Sequence, residues 1–143
     1  MLSDGCIFCG IVRGEVPTQK IYEDERTLAF LDINPSAPGH TLIIPKTHVT
    51  RVEELSPEDA GALFRTLHRL VGGIQEAVEA RASSIGINNG PEAGQEVPHV
   101  HIHVIPRRRG DGGGIVQGLL RTKGRHGKEE MQGIASRIME RVG

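Results

Sequence analysis

Three histidines alternate with apolar residues in the segment 99–105, and this run is the part of the sequence best suited to chemistry. In a β-strand, residues two apart share a face, so His99, His101 and His103 would line one side at steps of roughly 6.6 Å. Neutral imidazole is nucleophilic near neutral pH, and neighbouring imidazoles can donate protons to a phosphate or a leaving group. Because a His-x-His pair on a strand is also a common metal-ligand pair, the pattern alone leaves nucleophilic catalysis and metal binding open.

Two cysteines, Cys6 and Cys9, have the spacing of half a zinc site. A thioredoxin-like redox motif would require a strand before Cys6, and the sequence predicts none there. In a reducing compartment a structural disulfide is disfavoured. A pair of ordinary buried thiols is the remaining alternative to a metal site.

The strands that must position these residues are indicated by short apolar runs between turn residues. Two such runs within 20–32 predict a hairpin, and the segments 40–45 and 85–88 predict further strands. The histidine run predicts a strand over 97–105, in which Val100, Ile102 and Val104 would point into the core.

The helices are indicated by capping residues and by apolar periodicity. Ser56 and Pro57 predict the start of a long helix whose apolar face continues to about Ala82. The segment 128–142 predicts a C-terminal helix. Together these elements predict an α+β fold with an antiparallel sheet of about five strands.

The length of 143 residues fits one domain, 1–143, with its core in 6–106. The remaining segment, 107–143, would hold a Gly- and Arg-rich loop and the C-terminal helix. The net charge of -1 and the 3% aromatic content give no reason to expect binding to nucleic acid or to an anionic membrane. No signal peptide or membrane-spanning run is visible, so we expect a cytoplasmic protein.

The run His99–Ile105 resembles the signature of the histidine triad (HIT) nucleotide-binding family, in which three histidines alternate with apolar residues. Further similarity lies upstream of the triad, in the same order and spacing, over 30–35, 38–46, Asn88 and the pair Gly94–Gln95. The resemblance covers roughly residues 6–106. It implies an HIT-like fold and a homodimer whose sheets join across the two-fold axis.

The resemblance also implies roles for individual residues. His101 would be the nucleophile that forms a nucleotidyl-histidine intermediate, His103 would bind the α-phosphate, and His99 and His40 would form a supporting relay. Asp32 would hold the ribose hydroxyls. Contacts to phosphate or leaving group would come from Asn88 and Gln95, and the purine pocket would be lined by Phe8, Ile11, Ile21 and Phe30. The expected substrates are purine nucleotide derivatives, namely nucleoside phosphoramidates, adenylated amines or dinucleoside polyphosphates.

Several bacterial-type members of this family that carry the same Cys-x-x-Cys bind structural zinc, and the resemblance implies the same here. The ligands would be Cys6, Cys9, His48 and His99. With all four positions filled, the zinc would be structural, and the chemical step would need no cofactor.

Glu96 departs from the family pattern, because Ser or Thr often stands at this position. A carboxylate near a phosphate is repulsive unless it points away or pairs with a cationic leaving group. Two rival functions stay open, and Glu96 supports the second of them. One is a metal-dependent phosphohydrolase, although Glu96 is the only acid close to the triad. The other is a zinc-stabilised nucleotide- or partner-binding module with negligible turnover.

Overall fold

The computed structural model describes residues 2–115 and 126–142 of the chain. Its five strands form one antiparallel sheet in the order β1-β2-β3-β5-β4. The strands are β1 (Lys20–Glu23), β2 (Thr27–Leu31), β3 (Thr41–Pro45), β4 (Ala82–Gly86) and β5 (Ile102–Arg107), and the helices are α1 (Ile7–Val12), α2 (Pro57–Ala77) and α3 (Lys128–Val142). The α+β class, the five-stranded antiparallel sheet and the two predicted helices are confirmed.

The chain divides into two compact units, and α3 belongs to the second, which begins at Gly114. Within α3 no residue is buried, and Met131, Ile138, Met139 and Val142 are exposed. The assignment of all of 1–143 to one domain stays a prediction. None of the helices in the described residues is long and apolar enough to cross a membrane.

The sheet of the first unit carries a core on each of its faces. Leu28 and Phe30 of β2 pack with residues of α1, whereas Ala29 between them packs with Leu63 of α2. This alternation follows from the two-residue period of a strand. Ile102 and Val104 of β5 are buried in the core, as predicted, and that core lies on the α2 side of the sheet. His101 and His103, whose positions alternate with them, face the side on which α1 lies.

Helix α2 begins as predicted but ends earlier. Ser56 accepts a hydrogen bond from the Asp59 amide, and Pro57 occupies the first turn. The helix ends at Ala77 instead of near Ala82, because Glu79 adopts a left-handed φ of 57° and the Ala80 amide bonds back to the Gln75 carbonyl. This is a Schellman-type ending with a glutamate where glycine is usual. The residues from Ala82 are thereby released to form β4, three residues ahead of the predicted start at Ile85.

The predicted strand over 97–105 is wrong in its first half. β5 begins only at Ile102, and residues 97–99 form a bend in which the His99 amide bonds to the Val97 carbonyl. Pro98 has no amide hydrogen to donate to a ladder, and the Val100 amide instead donates to the Val49 carbonyl. The three histidines therefore do not form an evenly spaced row on one strand face.

Leu63 is completely buried beneath the sheet, and it offers a test of this packing. We expect Leu63→Ala to lower the free energy of unfolding by about 3 kcal/mol, because a truncated core leucine leaves a cavity. The neighbouring Arg65 is exposed, and Arg65→Ala should change stability by less than about 0.5 kcal/mol. Urea unfolding of both variants measures the difference. Equal losses for the two variants would contradict this placement of α2.

Candidate active site

A cleft of about 500 Å³ opens on the α1 side of the sheet. One part of its wall is apolar and comes from α1, β2 and neighbouring residues. The other part is polar and includes His40, His101 and His103. The remaining lining residues are Ile7, Phe8, Ile11, Val16, Pro17, Thr18, Phe30, Leu31, Asp32, Ile33, Asn34, Ser36, Leu42, Asn88, Gly94, Glu96 and Val97. An apolar wall with a few convergent polar groups is typical of a small-molecule site.

His101 has one ring nitrogen fixed by the backbone. Its Nδ1 lies 2.7 Å from the carbonyl oxygen of His99. A carbonyl can only accept, so Nδ1 carries the hydrogen and Nε2 of the neutral ring keeps its lone pair. The ring of Phe8 packs edge-on against His101, with centroids 5.1 Å apart. His101 is thus held as a neutral imidazole with a nucleophilic Nε2.

His103 has the opposite tautomer because of a chain of hydrogen bonds that begins at the backbone of Ser36. The Ser36 amide donates to Nδ1 of His40 over 3.0 Å, so the hydrogen of neutral His40 lies on Nε2. That Nε2 is 3.0 Å from Nδ1 of His103, to which it donates. The hydrogen of His103 is therefore on Nε2. The adjacent rings of His101 and His103, 4.9 Å apart between centroids, offer one acceptor and one donor.

Gly39 lets the chain reach His40 in this geometry. Its φ of 85° lies in the left-handed region, and a Cβ there would come within 2.9 Å of Val78 and 3.2 Å of Pro106. Glycine therefore satisfies both the backbone conformation and the close packing at this position.

Burial keeps these histidines neutral. It lowers the pKa of His40 and His101 below the ordinary value, although Asp32 favours the charged form of both. Burial, followed by repulsion from His101 and His40, lowers the pKa of His103 to about 4. The tautomers described above are those of neutral rings, and these shifts maintain them at neutral pH.

The expected substrate-binding residues fall into two groups. Asp32, Asn88, Phe8, Ile11 and Phe30 all line the cleft. The Asp32 carboxylate accepts from the Asn34 amide through Oδ1, and its Oδ2 lies 3.5 Å from Nε2 of His40.

Ile21 and Gln95 lie elsewhere. Ile21 is on β1, 42% exposed, and does not line the cleft. The side chain of Gln95 is fully used by the backbone: its oxygen accepts from the Gly90 amide, and its nitrogen donates to the carbonyls of Thr50 and Val97. In this arrangement Gln95 braces the loop beside the cleft and has no free donor for a phosphate.

Cys6, Cys9, His48 and His99 converge in a second cluster next to the cleft. Nδ1 of His99 lies 3.4 Å from Sγ of Cys6 and 3.6 Å from Sγ of Cys9, and Nδ1 of His48 lies 3.3 Å from both Sγ of Cys9 and Nδ1 of His99. Ligand atoms around a tetrahedral zinc are separated by about 3.3–3.8 Å. The four side chains therefore fit such an ion, and the predicted ligand set is brought together.

The tautomer of His99 suits this role. Its Nε2 lies 2.8 Å from the Pro45 carbonyl and must carry the hydrogen, which leaves Nδ1 as a ligand atom. Burial lowers the pKa of His99 to about 4, so the ring is neutral. The side chain of His99 thus belongs to the metal cluster, while its carbonyl orients His101.

A second group of metal-ligating types, Asp32, His40 and His103, lies in the cleft itself. Here the hydrogen bonds argue against a metal. A cation on Nε2 of His40 would require its hydrogen to move to Nδ1, which already accepts from the Ser36 amide. The two clusters therefore differ in whether their histidines present a free lone pair.

Several cleft residues were not predicted. Ile7 lies one helical turn before Ile11 on α1, and this i, i+4 spacing could have identified it. Ile33 is 88% exposed at the cleft rim, beside Asp32. The contribution of Ser36 is a backbone amide, for which the side-chain sequence carries no signal.

Sequence comparison relates the chain to known proteins. The family model described as HIT domain matches residues 13–110. "Protein hit" of Bacillus subtilis is 42% identical over 142 residues, covering 98% of this chain and 96% of that protein. "Adenylylsulfatase HINT3" of Arabidopsis thaliana is 42% identical, covering 77% of this chain and 56% of that protein. A "bis(5'-nucleosyl)-tetraphosphatase [asymmetrical]" of Schizosaccharomyces pombe is 41% identical, covering 67% of this chain and 53% of that protein.

Solved structures show the same relationship. A HIT family protein from Bacillus subtilis superposes with a TM-score of 0.85 at 41% identity, covering 98% of this chain and 99% of that one. A zinc-bound histidine triad family protein from Mycobacterium smegmatis gives a TM-score of 0.71 at 34% identity, covering 95% of this chain and 96% of that one.

Proposed function

Because the chain belongs to the HIT domain family, we propose that it hydrolyses or transfers the nucleotidyl group of purine nucleotide derivatives through a covalent intermediate on His101. The observation that carries the proposal is the pair of opposite tautomers in one cleft. His101 presents a lone pair on Nε2, and His103 beside it presents a hydrogen. A phosphoryl group placed between them meets a nucleophile and a donor together.

In the first step, Nε2 of His101 attacks the α-phosphorus. A P–N bond to the imidazole forms, and the bond from phosphorus to the leaving group breaks. An amine leaving group takes its proton from solvent. The positive charge that develops on the His101 ring is stabilised by its Nδ1–H bond to the His99 carbonyl.

In the second step, water attacks the same phosphorus and the bond to Nε2 breaks. The electron pair returns to His101, a proton passes from the water to solvent, and the nucleoside monophosphate is released. Throughout, the Nε2–H of His103 donates to a phosphate oxygen, and His40 holds that hydrogen in place. In transfer, another acceptor takes the place of water.

The cleft suits a purine nucleotide. Phe8, Ile11 and Phe30 provide an apolar wall for the base, and Asp32 offers a carboxylate oxygen to a ribose hydroxyl. Two relatives, one named as an adenylylsulfatase and one as a bis(5'-nucleosyl)-tetraphosphatase, support a nucleotide hydrolase. Candidate substrates are nucleoside phosphoramidates, adenylated amines and dinucleoside polyphosphates.

Cys6, Cys9, His48 and His99 would hold a structural zinc, which when bound would cross-link the N-terminal segment to the residues before β5. Support comes from the fit of the four ligand atoms and from the zinc-bound relative. The proposed chemical step uses no metal, and the hydrogen bonds of His40 and His103 leave neither ring a free lone pair for one. This also disfavours the metal-dependent phosphohydrolase.

We also propose that the protein is a homodimer and that it is cytoplasmic. β4 is an edge strand of the sheet and carries Ile85, which is 43% exposed. Such an edge can be extended by a strand of a second copy.

Direct detection of the intermediate tests the function. Adenosine 5'-phosphoramidate is mixed with excess protein in the presence of a chelator, the reaction is quenched within milliseconds, and His101 is examined by peptide mass spectrometry. We expect an adenylylated peptide that disappears as AMP forms. Tight AMP binding without adenylation or AMP release would favour the binding module instead.

The pH dependence of turnover provides a second test. The neutral forms of His40 and His103 are needed for the hydrogen-bond chain, and burial lowers the pKa of both below 6.5. The array therefore stays neutral as pH falls through 6.5 and is lost only at lower pH, as these rings gain protons. We expect the acidic limb of the kcat/KM profile below pH 6.5, with circular dichroism confirming the fold across the range. A limb at or above 6.5 would contradict the assigned array.

A further inference from the structure

The loop beside the cleft holds Glu96 in a defined place. The Gln95 amide donates to the Gly90 carbonyl over 3.1 Å, and the Gln95 side chain bonds to Gly90, Thr50 and Val97. On the other side of Glu96, the His99 amide donates to the Val97 carbonyl and the Val100 amide donates to the Val49 carbonyl. Glu96 is therefore flanked on both sides by fixed backbone.

The Glu96 carboxylate is exposed and lines the cleft with His101 and Asn88. Within residues 2–115 and 126–142 it takes part in no hydrogen bond or ion pair. By contrast, Glu92 on the same loop approaches Arg51 to 3.9 Å and does not line the cleft. Glu96 is thus available to whatever enters the cleft.

The formal charges of the residues that line the cleft are all negative. Among its lining residues in the described chain are two carboxylates, Asp32 and Glu96, and no lysine or arginine. A leaving group that carries several negative charges would meet no lysine or arginine among these residues, whereas a positive one would be attracted by the two carboxylates.

We propose that Glu96 selects the leaving group by charge and favours a nucleotide whose α-phosphate carries an amine with a second, cationic group. The proposal rests on the function proposed above and narrows its substrate class. Glu96 enters from the 90–97 loop, while the apolar wall for the base comes from α1 and β2. The proposal therefore places the base on that apolar wall and the leaving group beside the Glu96 carboxylate.

Three adenosine 5'-phosphoramidates with leaving amines of equal length test this. The amines are linear alkyl chains that end in an ammonium, a methyl or a carboxylate group. For the native chain we expect kcat/KM to fall in that order, by roughly tenfold between the ends at low salt, and the difference to shrink as salt is added. Glu96→Gln should remove most of the difference between ammonium and carboxylate. Glu92→Gln is the matched control and should keep it.

Equal rates for the three compounds in the native chain, or an unchanged order in Glu96→Gln, would overturn the proposal. The dissociation constants of the same compounds are measured by calorimetry in parallel. If none of them is hydrolysed, the proposed enzymatic function fails, and the order of dissociation constants still decides the role of Glu96. Binding in the order ammonium, methyl, carboxylate that is lost in Glu96→Gln would support it, and equal binding would refute it.

Discussion

Replacing His101 with alanine is expected to lower the rate of AMP release from adenosine 5'-phosphoramidate by roughly 10³-fold or more. Loss of a covalent nucleophile removes the route through the intermediate, and such losses are among the largest in enzyme kinetics. The apolar wall and Asp32 stay in place, so AMP should still bind. The measurement is single-turnover AMP release with chelator present, together with AMP affinity by calorimetry.

His68→Ala is the matched control, because His68 lies exposed on α2 and outside the cleft. It should release AMP at the native rate. A His101→Ala variant that keeps more than about a tenth of native activity would rule out His101 as the nucleophile. Release by the native protein and by His68→Ala that stops on chelation, while circular dichroism shows that the fold is intact, would instead point to a metal-dependent reaction.

The second large effect concerns stability. We expect protein purified without chelator to hold one zinc per chain, and His48→Ala to hold much less. A ligand that binds only the folded state at a thousandfold above its Kd stabilises it by about 4 kcal/mol. For a chain of this size that corresponds to a fall in Tm of roughly 10 °C or more in His48→Ala. Zinc content by elemental analysis and Tm by calorimetry are the two readouts.

The control is again His68→Ala, which should retain both the zinc and the native Tm. Chelation should lower the Tm of native protein and of the control while leaving that of His48→Ala nearly unchanged. A native protein with much less than one zinc per chain, or a His48→Ala variant with unchanged Tm, would contradict a zinc site at this cluster.

Much of the fold could be predicted because its signals are local. Ser56 and Pro57 fix the start of α2 through groups within one turn, and the apolar alternation of β2 and β3 places their side chains on both faces of the sheet. The end of α2 could not be predicted, since Glu79 adopts a left-handed conformation that its side chain does not favour.

The site was harder to predict wherever its geometry depends on distant backbone. The bend before β5 depends on the Val49 carbonyl accepting from the Val100 amide, and this turns His99 toward the cysteines. Gln95 is drawn to the Thr50 carbonyl, 45 residues away, and so braces a loop. Residue types and spacing indicate which side chains can do chemistry. Which tautomer a histidine adopts, and which of its nitrogens is free to react, depends on hydrogen-bond partners far away in the chain.

The hydrogen-bond chain through His40 and His103 starts at the Ser36 amide, and the bond of His101 ends on the His99 carbonyl. A peptide N–H does not give up its proton, and a peptide carbonyl does not keep one, near neutral pH. Each of these two hydrogen-bond series therefore ends at a backbone group that does not exchange protons. They fix the orientation and tautomer of the rings but cannot relay a proton. Every proton that the reaction consumes or releases must come from water or arrive with the substrate, and turnover should slow in deuterium oxide only through those external exchanges.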